Sequence, residues 1–195
     1  MQRLQFWYDL ASTYSYLSAM RIEALAAQAG VDIEWCPFLL GPIFKAQGWV
    51  TSPFNLYPAK GRYMVHDMQR ITAERGLPFV MPDPFPAQSL LAVRTAHAGE
   101  ASGWTAEFSR AAFTAAFGRG ESIADPAVLT RILTDLGIDA AAAIASAGSD
   151  TVKESLKART AEAETLGIFG APTFVTDDGD LYWGDDRLEQ ALERA

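Results

Sequence analysis

The sequence predicts an α/β fold in which the two ends of the chain form one mixed sheet around an all-helical insertion. Residues 4–38 follow a strand-helix-strand pattern, and residues 151–195 follow a helix-strand-strand-helix pattern. Between them lies an Ala-rich block with helical periodicity only. We therefore predict one discontinuous domain, residues 1–58 and 148–195, with a helical insertion domain of residues 59–147.

The first predicted strand is the aromatic run Leu4–Tyr8, and a polar turn separates it from a predicted helix at Thr13–Ala29. Gly30 suits the left-handed position that often follows a helix end. A second strand is predicted at Val31–Phe38, because apolar and polar residues alternate there. The two strands should be parallel, since a right-handed crossover is expected to join them.

Residues 39–58 are rich in Gly, Pro and aromatic residues and are predicted to form a long connection without regular structure. A helix should follow at Ala59–Glu74, with four large side chains directed inward: Tyr63, Met64, Met68 and Ile71. Four prolines close together favour an extended, irregular segment at Val80–Pro86.

The remaining elements are predicted from helix caps, apolar periodicity and turn residues. Predicted helices cover Ala87–Ala98, Gly103–Phe117, the segment from Asp125 and Pro126 to Gly137, Asp139–Ala147, Thr151–Leu166 and Asp186–Ala195. Either Ser149 or Asp150 caps the helix that begins at Thr151. Strands at Pro172–Thr176 and Asp180–Trp183 should form a hairpin around the turn at 177–179.

The composition argues against several classes of function. The net charge of −8 disfavours non-specific nucleic-acid binding, which needs a basic surface. The single cysteine, Cys36, cannot form an internal disulfide and fits a reducing, cytoplasmic compartment. We expect no leader, because strand-like sequence begins by Leu4, and no membrane partner, because no apolar run is long enough to span a bilayer. His66 and His97 lack metal-ligand spacing, so we assign no metal.

Ser12 lies on the turn where the first strand runs into the first helix. The free N–H groups and the positive dipole end of a helix start can bind anions, including thiolates. A serine at such a turn is more often only a helix N-cap. The residue type alone therefore leaves both roles open.

The stretch from Phe6 to Leu17, Phe-Trp-Tyr-Asp-Leu-Ala-Ser-Thr-Tyr-Ser-Tyr-Leu, resembles the opening of the kappa-class glutathione transferases and the bacterial 2-hydroxychromene-2-carboxylate isomerases. These proteins usually carry proline where this chain has Thr13. Three further stretches resemble the same family: Pro58–Met64 with Asp67, Gly167–Phe174, and Gly184–Arg187. The resemblance implies a thioredoxin-like fold with an inserted all-helical domain, as in DsbA-like and kappa-class proteins.

The same resemblance implies a glutathione site. Ser12 stands where redox members carry the first cysteine of Cys-x-x-Cys, so disulfide exchange is excluded there. Its hydroxyl would instead favour the glutathione thiolate, with Ala171 before a cis Pro172 pairing with the cysteinyl backbone. Asp185 and Asp186 would meet the γ-glutamyl end, although both are also plausible helix caps. The family usually has Ser or Asn at the position of Asp185.

Three residues near the second strand complete the predicted site. Lys60 is implied as a partner of the glycyl carboxylate, and a solvated surface lysine is the alternative. Trp49 stands where kappa enzymes carry an Asn that contacts glutathione, so either the loop is shifted or Trp49 walls the substrate pocket. Arg62 is the second predicted substrate-binding residue.

The resemblance implies a homodimeric, glutathione-dependent isomerase with a small aromatic carboxylate substrate. It would convert 2-hydroxychromene-2-carboxylate to trans-o-hydroxybenzylidenepyruvate in aromatic catabolism, with glutathione as a regenerated cofactor. A kappa-like glutathione transferase or peroxidase, acting on another electrophile, is the first alternative. A non-catalytic thioredoxin-like module that binds glutathione is the second.

Overall fold

The computed structural model describes residues 2–195 and contains one mixed sheet of four strands. The strands are β1 (Gln2–Tyr8), β2 (Val31–Pro37), β3 (Thr173–Thr176) and β4 (Leu181–Trp183). Their order is β2-β1-β3-β4, with β1 parallel to β2 and β3 antiparallel to both of its neighbours. The prediction that the two chain ends form one mixed sheet is confirmed.

Eleven α-helices surround this sheet within residues 2–195. They are α1 (Thr13–Ala19), α2 (Ile22–Ala29), α3 (Leu40–Ala46), α4 (Pro53–Leu56), α5 (Pro58–Glu74), α6 (Leu90–Ala98), α7 (Thr105–Phe113), α8 (Pro126–Asp135), α9 (Ala140–Ala147), α10 (Asp150–Thr165) and α11 (Leu188–Arg194). Short 3-10 turns lie at Glu100–Ser102 and Asp185–Arg187, and a π-helical turn lies at Thr114–Gly118. Ser149, one of the two predicted caps, accepts a hydrogen bond at the start of α10.

The C-terminal part of strand β1 is buried on both faces, which explains the aromatic run at residues 6–8, whereas Gln2 and Arg3 at its start are exposed. The ring centroid of Phe6 lies 5.0 Å from that of Trp35 and 5.6 Å from that of Phe174. Trp7 points to the opposite face, where its ring lies 5.9 Å from Phe38. The sheet is therefore anchored by β1, whose C-terminal end leads directly to Ser12.

The predicted single helix at Thr13–Ala29 is wrong, because a turn at Met20 and Arg21 divides it into α1 and α2. Arg21 has non-helical torsion angles of φ −130° and ψ −17°. Its guanidinium forms ion pairs with Asp185 and Glu189 near the other end of the chain. These long-range ion pairs stabilise the turn at Arg21. They could not be predicted from the apolar periodicity of residues 13–29 alone.

The prediction that residues 39–58 lack regular structure is also wrong, because they contain α3 and α4. Pro42 lies in the first turn of α3, and Pro53 is the first residue of α4. Proline is tolerated at both positions, since first-turn N–H groups have no intrahelical acceptor. Ser52 caps α4 by accepting a hydrogen bond from the Phe54 amide at 3.3 Å.

Helix α5 buries Met64 and Met68, as predicted, and leaves Ile71 partly buried. The prediction that Tyr63 faces inward is wrong, since it is 59% exposed. Consecutive helical residues point about 100° apart, and Tyr63 lies outside the face of α5 on which Met64, Met68 and Thr72 are buried. The Tyr63 ring instead lies 5.6 Å from the guanidinium of Arg70.

None of the helices within residues 2–195 combines the length and apolar character needed to cross a bilayer.

The largest hydrophobic cluster contains residues of the sheet, such as Phe6, together with residues of the helical block, such as Phe108. The predicted boundaries between the discontinuous domain and the helical insertion domain, at residues 58–59 and 147–148, stay a prediction.

Candidate functional site

Ser12 is the N-cap of α1 and also faces the loop before β3. Its Oγ accepts a hydrogen bond from the Ser15 amide at 3.2 Å and donates one to the carbonyl oxygen of Ala171 at 3.0 Å. The Ser12 backbone is extended, with φ −87° and ψ 118°, as an N-cap requires. The Ser12 hydroxyl therefore caps α1 and at the same time forms a hydrogen bond with the loop before β3.

The buried carboxylate of Asp9 fixes the turn that carries Ser12. It accepts hydrogen bonds from the amides of Ala11 at 2.9 Å and Leu40 at 2.8 Å, and from the Ser89 hydroxyl at 2.7 Å. Burial raises the pKa of the Asp9 carboxyl above its ordinary value, although these three donors act in the opposite direction. Asp9 thus ties the β1–α1 turn to the starts of α3 and α6, a role that sequence reasoning missed.

The start of α1 presents free backbone donors beside Ser12. The first intrahelical hydrogen bond joins the Tyr16 amide to the Ser12 carbonyl. The amides of Thr13 and Tyr14 precede any intrahelical acceptor, as at every helix start. Together with the Ser12 hydroxyl they can stabilise an anion.

The Ala171–Pro172 peptide bond is cis, as predicted. The carbonyl of Pro172 accepts a hydrogen bond from the Gly184 amide at 3.0 Å, which places the loop after β4 beside the loop before β3. The structure therefore brings together Ser12, Ala171, Pro172 and the segment that begins at Gly184.

An exposed aromatic pair flanks this loop and was not predicted as part of the site. Phe169 is 50% exposed and Trp183 is 54% exposed, and their ring centroids are 5.0 Å apart. A Cβ atom on Gly170 would lie only 2.5 Å from Nε1 of Trp183, so glycine is needed for this contact. The sequence signal was present, because both aromatic residues stand next to glycines of the recognised motifs.

Asp185 is buried within a network of cationic and hydroxyl donors. Its Oδ1 accepts hydrogen bonds from Ser18 at 2.9 Å and from Nε of Arg21 at 3.1 Å, and its Oδ2 accepts one from Arg75 at 2.7 Å. Sequence reasoning did not identify either arginine as a partner, because each lies more than a hundred residues from Asp185. The side chain of Asp186 is 76% exposed and lies 3.3 Å from Arg187.

The predicted residues near the second strand do not form one cluster. Lys60 is exposed on the first turn of α5, with Nζ 5.7 Å from the ring centroid of Tyr57. Arg62 is exposed and lines a groove beside α5. Trp49 packs against Phe44 of α3, with ring centroids 5.6 Å apart, and does not line that groove.

Tyr14 connects the helix of Ser12 to α5. Its hydroxyl donates a hydrogen bond to Asp67 at 2.9 Å, and its ring centroid lies 6.3 Å from that of Phe54. Burial raises the pKa of the Tyr14 hydroxyl, and the bond to Asp67 raises it further. The Tyr14 hydroxyl is therefore uncharged at neutral pH, and its hydrogen bond to Asp67 holds the side chain between α1 and α5.

The single thiol does not belong to this site. Cys36 is fully buried on β2, and burial raises the pKa of its thiol. Among residues 2–195, no three His, Cys, Asp or Glu side chains meet in a group that could hold a metal ion. A thiolate at Ser12 must therefore come from a bound molecule rather than from this chain.

The chain is similar to known proteins over nearly its full length. A family model described as a DSBA-like thioredoxin domain matches residues 3–194. A 2-hydroxychromene-2-carboxylate isomerase of Sphingobium xenophagum is 30% identical over 191 residues, covering 95% of this chain and 94% of the relative. Glutathione S-transferase kappa 1 of Homo sapiens is 28% identical over 199 residues, covering 95% of this chain and 87% of the relative. The solved structure of a 2-hydroxychromene-2-carboxylate isomerase has a TM-score of 0.88 at 27% identity, covering 98% of this chain and 95% of that one.

Proposed function

Because the chain belongs to the DSBA-like thioredoxin family and its relatives include isomerases and glutathione transferases, we propose that it is a glutathione-dependent isomerase. The proposed reaction converts a 2-hydroxychromene-2-carboxylate to a trans-o-hydroxybenzylidenepyruvate in aromatic catabolism. Glutathione supplies a nucleophilic thiolate when it is bound. A homodimer and a cytoplasmic location stay predictions, and sedimentation equilibrium tests the first of them.

The observation that carries this proposal is the position of the Ser12 hydroxyl at the start of α1, 3.0 Å from the Ala171 carbonyl. A sulfur atom at this point would receive the single proton of this hydroxyl in place of the Ala171 carbonyl, and it would lie beside the first-turn amides. Both interactions favour the thiolate over the thiol. Ser12 is in this account a stabiliser of the nucleophile and not the nucleophile itself.

Three further groups are proposed to hold the rest of glutathione. The backbone of Ala171 can pair with the cysteinyl residue as a strand does. The exposed carboxylate of Asp186 can take the γ-glutamyl ammonium, and the exposed ammonium of Lys60 can take the glycyl carboxylate. Asp185 is already satisfied by one hydroxyl and two guanidinium donors. We therefore propose that Asp185 positions the loop of Asp186 rather than binding glutathione directly.

A kappa-like glutathione transferase is the second candidate, and the human kappa relative supports it. Both activities need the same thiolate, so Ser12 does not separate them. They differ in the fate of glutathione, because an isomerase regenerates it and a transferase consumes it. A module that only binds glutathione would do neither.

The test is an assay with 2-hydroxychromene-2-carboxylate in which product formation and free glutathione are both followed. The proposal predicts that a trace of glutathione supports many turnovers and that Ser12→Ala removes most of the activity. Ser149→Ala is the matched control, because it removes a helix N-cap on α10 away from the site. Stoichiometric loss of glutathione with an electrophile would favour the transferase, and binding without turnover of either kind would favour the module.

A further inference from the structure

Ser155, His97 and Glu100 form a hydrogen-bonded chain that has no part in the proposed glutathione site. Nε2 of His97 lies 2.9 Å from Oγ of Ser155, and Nδ1 of His97 lies 2.9 Å from Oε1 of Glu100. The other carboxylate oxygen of Glu100 accepts a hydrogen bond from Arg159 at 3.1 Å. Both oxygens of Glu100 are therefore held, and one of them is directed at the imidazole.

The carboxylate of Glu100 decides which ring nitrogen of His97 carries the proton. A carboxylate can only accept hydrogen bonds, so Nδ1 must be the protonated nitrogen of the neutral imidazole. Nε2 is then an acceptor, and the hydroxyl of Ser155 must donate to it. This is the direction in which a histidine activates a serine, because Nε2 is ready to take the proton from Oγ.

The hydroxyl of Ser155 differs from the other hydroxyls in the middle and last turns of α10. Thr160 and Thr165 each donate to the carbonyl four residues earlier, at 3.0 Å. Such a bond is the local partner that a helical serine or threonine commonly uses. Ser155 forms its hydrogen bond across 58 residues of sequence instead. Its hydroxyl is therefore committed to His97 rather than to its own helix.

The exposure of the three residues suits a reaction at the surface. Ser155 is exposed, whereas the side chain of His97 is 6% exposed and that of Glu100 is 30% exposed. A reactant can reach Oγ of Ser155 from solvent, while the histidine behind it is shielded from water. A hydroxyl, a base and an orienting acid within hydrogen-bond reach of one another are the mark of an activated serine.

The position of Ser155 within α10 sets the class of reactant. Residues 150–165 are helical, so the backbone amides around Ser155 donate within the helix and do not form an oxyanion site. Loss of one oxyanion donor alone typically costs about a hundredfold or more in rate. Amides and alkyl esters should therefore react slowly, and the suitable acyl donors are aryl esters, whose leaving groups need little stabilisation.

We propose that Ser155 accepts acyl groups from aryl esters, with His97 as its general base and Glu100 as the residue that positions the imidazole. Oγ of Ser155 forms a bond to the acyl carbon while its proton passes to Nε2 of His97. The bond between the acyl carbon and the phenolic oxygen breaks, and the phenol leaves with that proton. Water then releases the carboxylic acid from the acyl-serine through the same histidine. This activity needs no glutathione, so it is independent of the function proposed for Ser12.

Reaction with p-nitrophenyl acetate tests this assignment. Release of p-nitrophenolate is followed by absorbance, and peptide mapping by mass spectrometry locates the acetyl group in wild type, Ser155→Ala, His97→Gln and Thr165→Ala. Thr165 is the matched control, because its exposed hydroxyl on α10 donates to a backbone carbonyl. We expect acetyl-Ser155 and a fast phase of release in the wild type and the control, and no fast phase in Ser155→Ala. In His97→Gln the acetylation of Ser155 should be roughly a hundredfold slower, which is the size of a typical general-base contribution.

The positioning role of Glu100 has a separate readout in the ring nitrogens of His97. The chain has two histidines, so His66→Gln leaves a single imidazole whose nitrogen NMR shifts report which nitrogen is protonated. We expect the proton on Nδ1 when the imidazole is neutral. Glu100→Gln should remove this preference and slow the acetylation of Ser155, because a neutral amide can also donate to Nδ1.

Unchanged release of p-nitrophenolate in Ser155→Ala would overturn the assignment, as would acetyl groups found on lysines but not on Ser155. Equal rates of Ser155 acetylation in wild type and His97→Gln would show that the histidine only joins α6 to α10. A neutral imidazole protonated at Nε2 in the presence of Glu100 would also contradict the proposed direction of proton transfer.

Discussion

The Ser12 hydroxyl donates a hydrogen bond to the carbonyl of Ala171 at 3.0 Å, across 159 residues of sequence. This bond joins the turn after β1 to the loop before β3, which are the two segments that the sheet brings side by side. The same hydroxyl caps α1 through the Ser15 amide. One side chain therefore serves both the local helix and the long-range geometry of the candidate site.

Replacing Asp185 with Asn should destabilise the fold strongly. The substitution removes the charge that Arg21 and Arg75 share while leaving both guanidinium groups in place. Breaking a buried ion pair in this way typically costs about 3 kcal/mol or more. Urea unfolding measures the change, and Asp186→Asn is the control because its exposed side chain should alter the free energy of unfolding by less than about 0.5 kcal/mol. Similar values for the two variants would contradict this role of Asp185.

Two glycine-to-alanine substitutions should change stability in opposite directions. At Gly61 the new Cβ would overlap the Phe54 carbonyl, and such overpacking costs about 1–3 kcal/mol. At Gly41, also in a helix, nothing lies within 4 Å of the new Cβ. Alanine there should stabilise the fold by about 0.5–1 kcal/mol, because it loses less backbone entropy than glycine. Thermal unfolding of both variants tests the pair, and a neutral or stabilising Gly61→Ala would show that α4 moves freely.

Asp9 should make the stability of the protein fall as the pH rises. Its folded-state pKa lies above the ordinary value of 3.8, so the folded chain binds more protons than the unfolded chain between these two values. The free energy of unfolding therefore decreases through that window and is constant above it. Urea unfolding of the wild type and Asp9→Asn at pH values from 3.8 upward isolates this contribution. A wild-type advantage that grows with pH would show that the three hydrogen-bond donors outweigh burial.

Cys36 should be inert in the native protein. Its side chain is fully buried, and burial disfavours the thiolate that reacts with electrophiles. We expect iodoacetamide to modify Cys36 only after unfolding in urea, as measured by mass spectrometry. Rapid labelling of the folded protein would place a reactive thiol within this chain and weaken the argument that the nucleophile is supplied by glutathione.

Much of the fold could be predicted because it depends on local signals. The alternation in Val31–Phe38, the N-cap Asp125 and the glycine at 30 all act within a few residues. The missed helices α3 and α4 had local signals too, in Ser52 and the first-turn prolines, but one error arose where distant residues decide the structure. The helix break at Arg21 depends on Asp185 and Glu189, which no window around Arg21 contains.

The residues of the candidate site also fall into two groups, those that local motifs predict and those whose surroundings depend on distant residues. Ser12 and the cis bond before Pro172 lie in recognisable motifs, so their positions could be predicted. The burial of Asp185 could not, because an acidic residue at a helix start usually faces solvent and its arginine partners come from other elements. The groove beside Arg62 was also beyond sequence reasoning, since it depends on how closely Gly61 lets α4 approach α5.

Stabilisation of a glutathione thiolate by Ser12 is tested by an ultraviolet titration of the purified protein with glutathione, since the thiolate absorbs where the thiol does not. Wild type, Ser12→Ala and the cap control Ser149→Ala are compared across pH, and the two variants should each lose about 1 kcal/mol of stability. We expect a saturable thiolate band at neutral pH in the wild type and in Ser149→Ala. In Ser12→Ala the band should be lost or moved up by roughly two pH units, equivalent to about 2.7 kcal/mol. An unchanged band in Ser12→Ala, or no band in the wild type, would contradict the claim that Ser12 holds a glutathione thiolate.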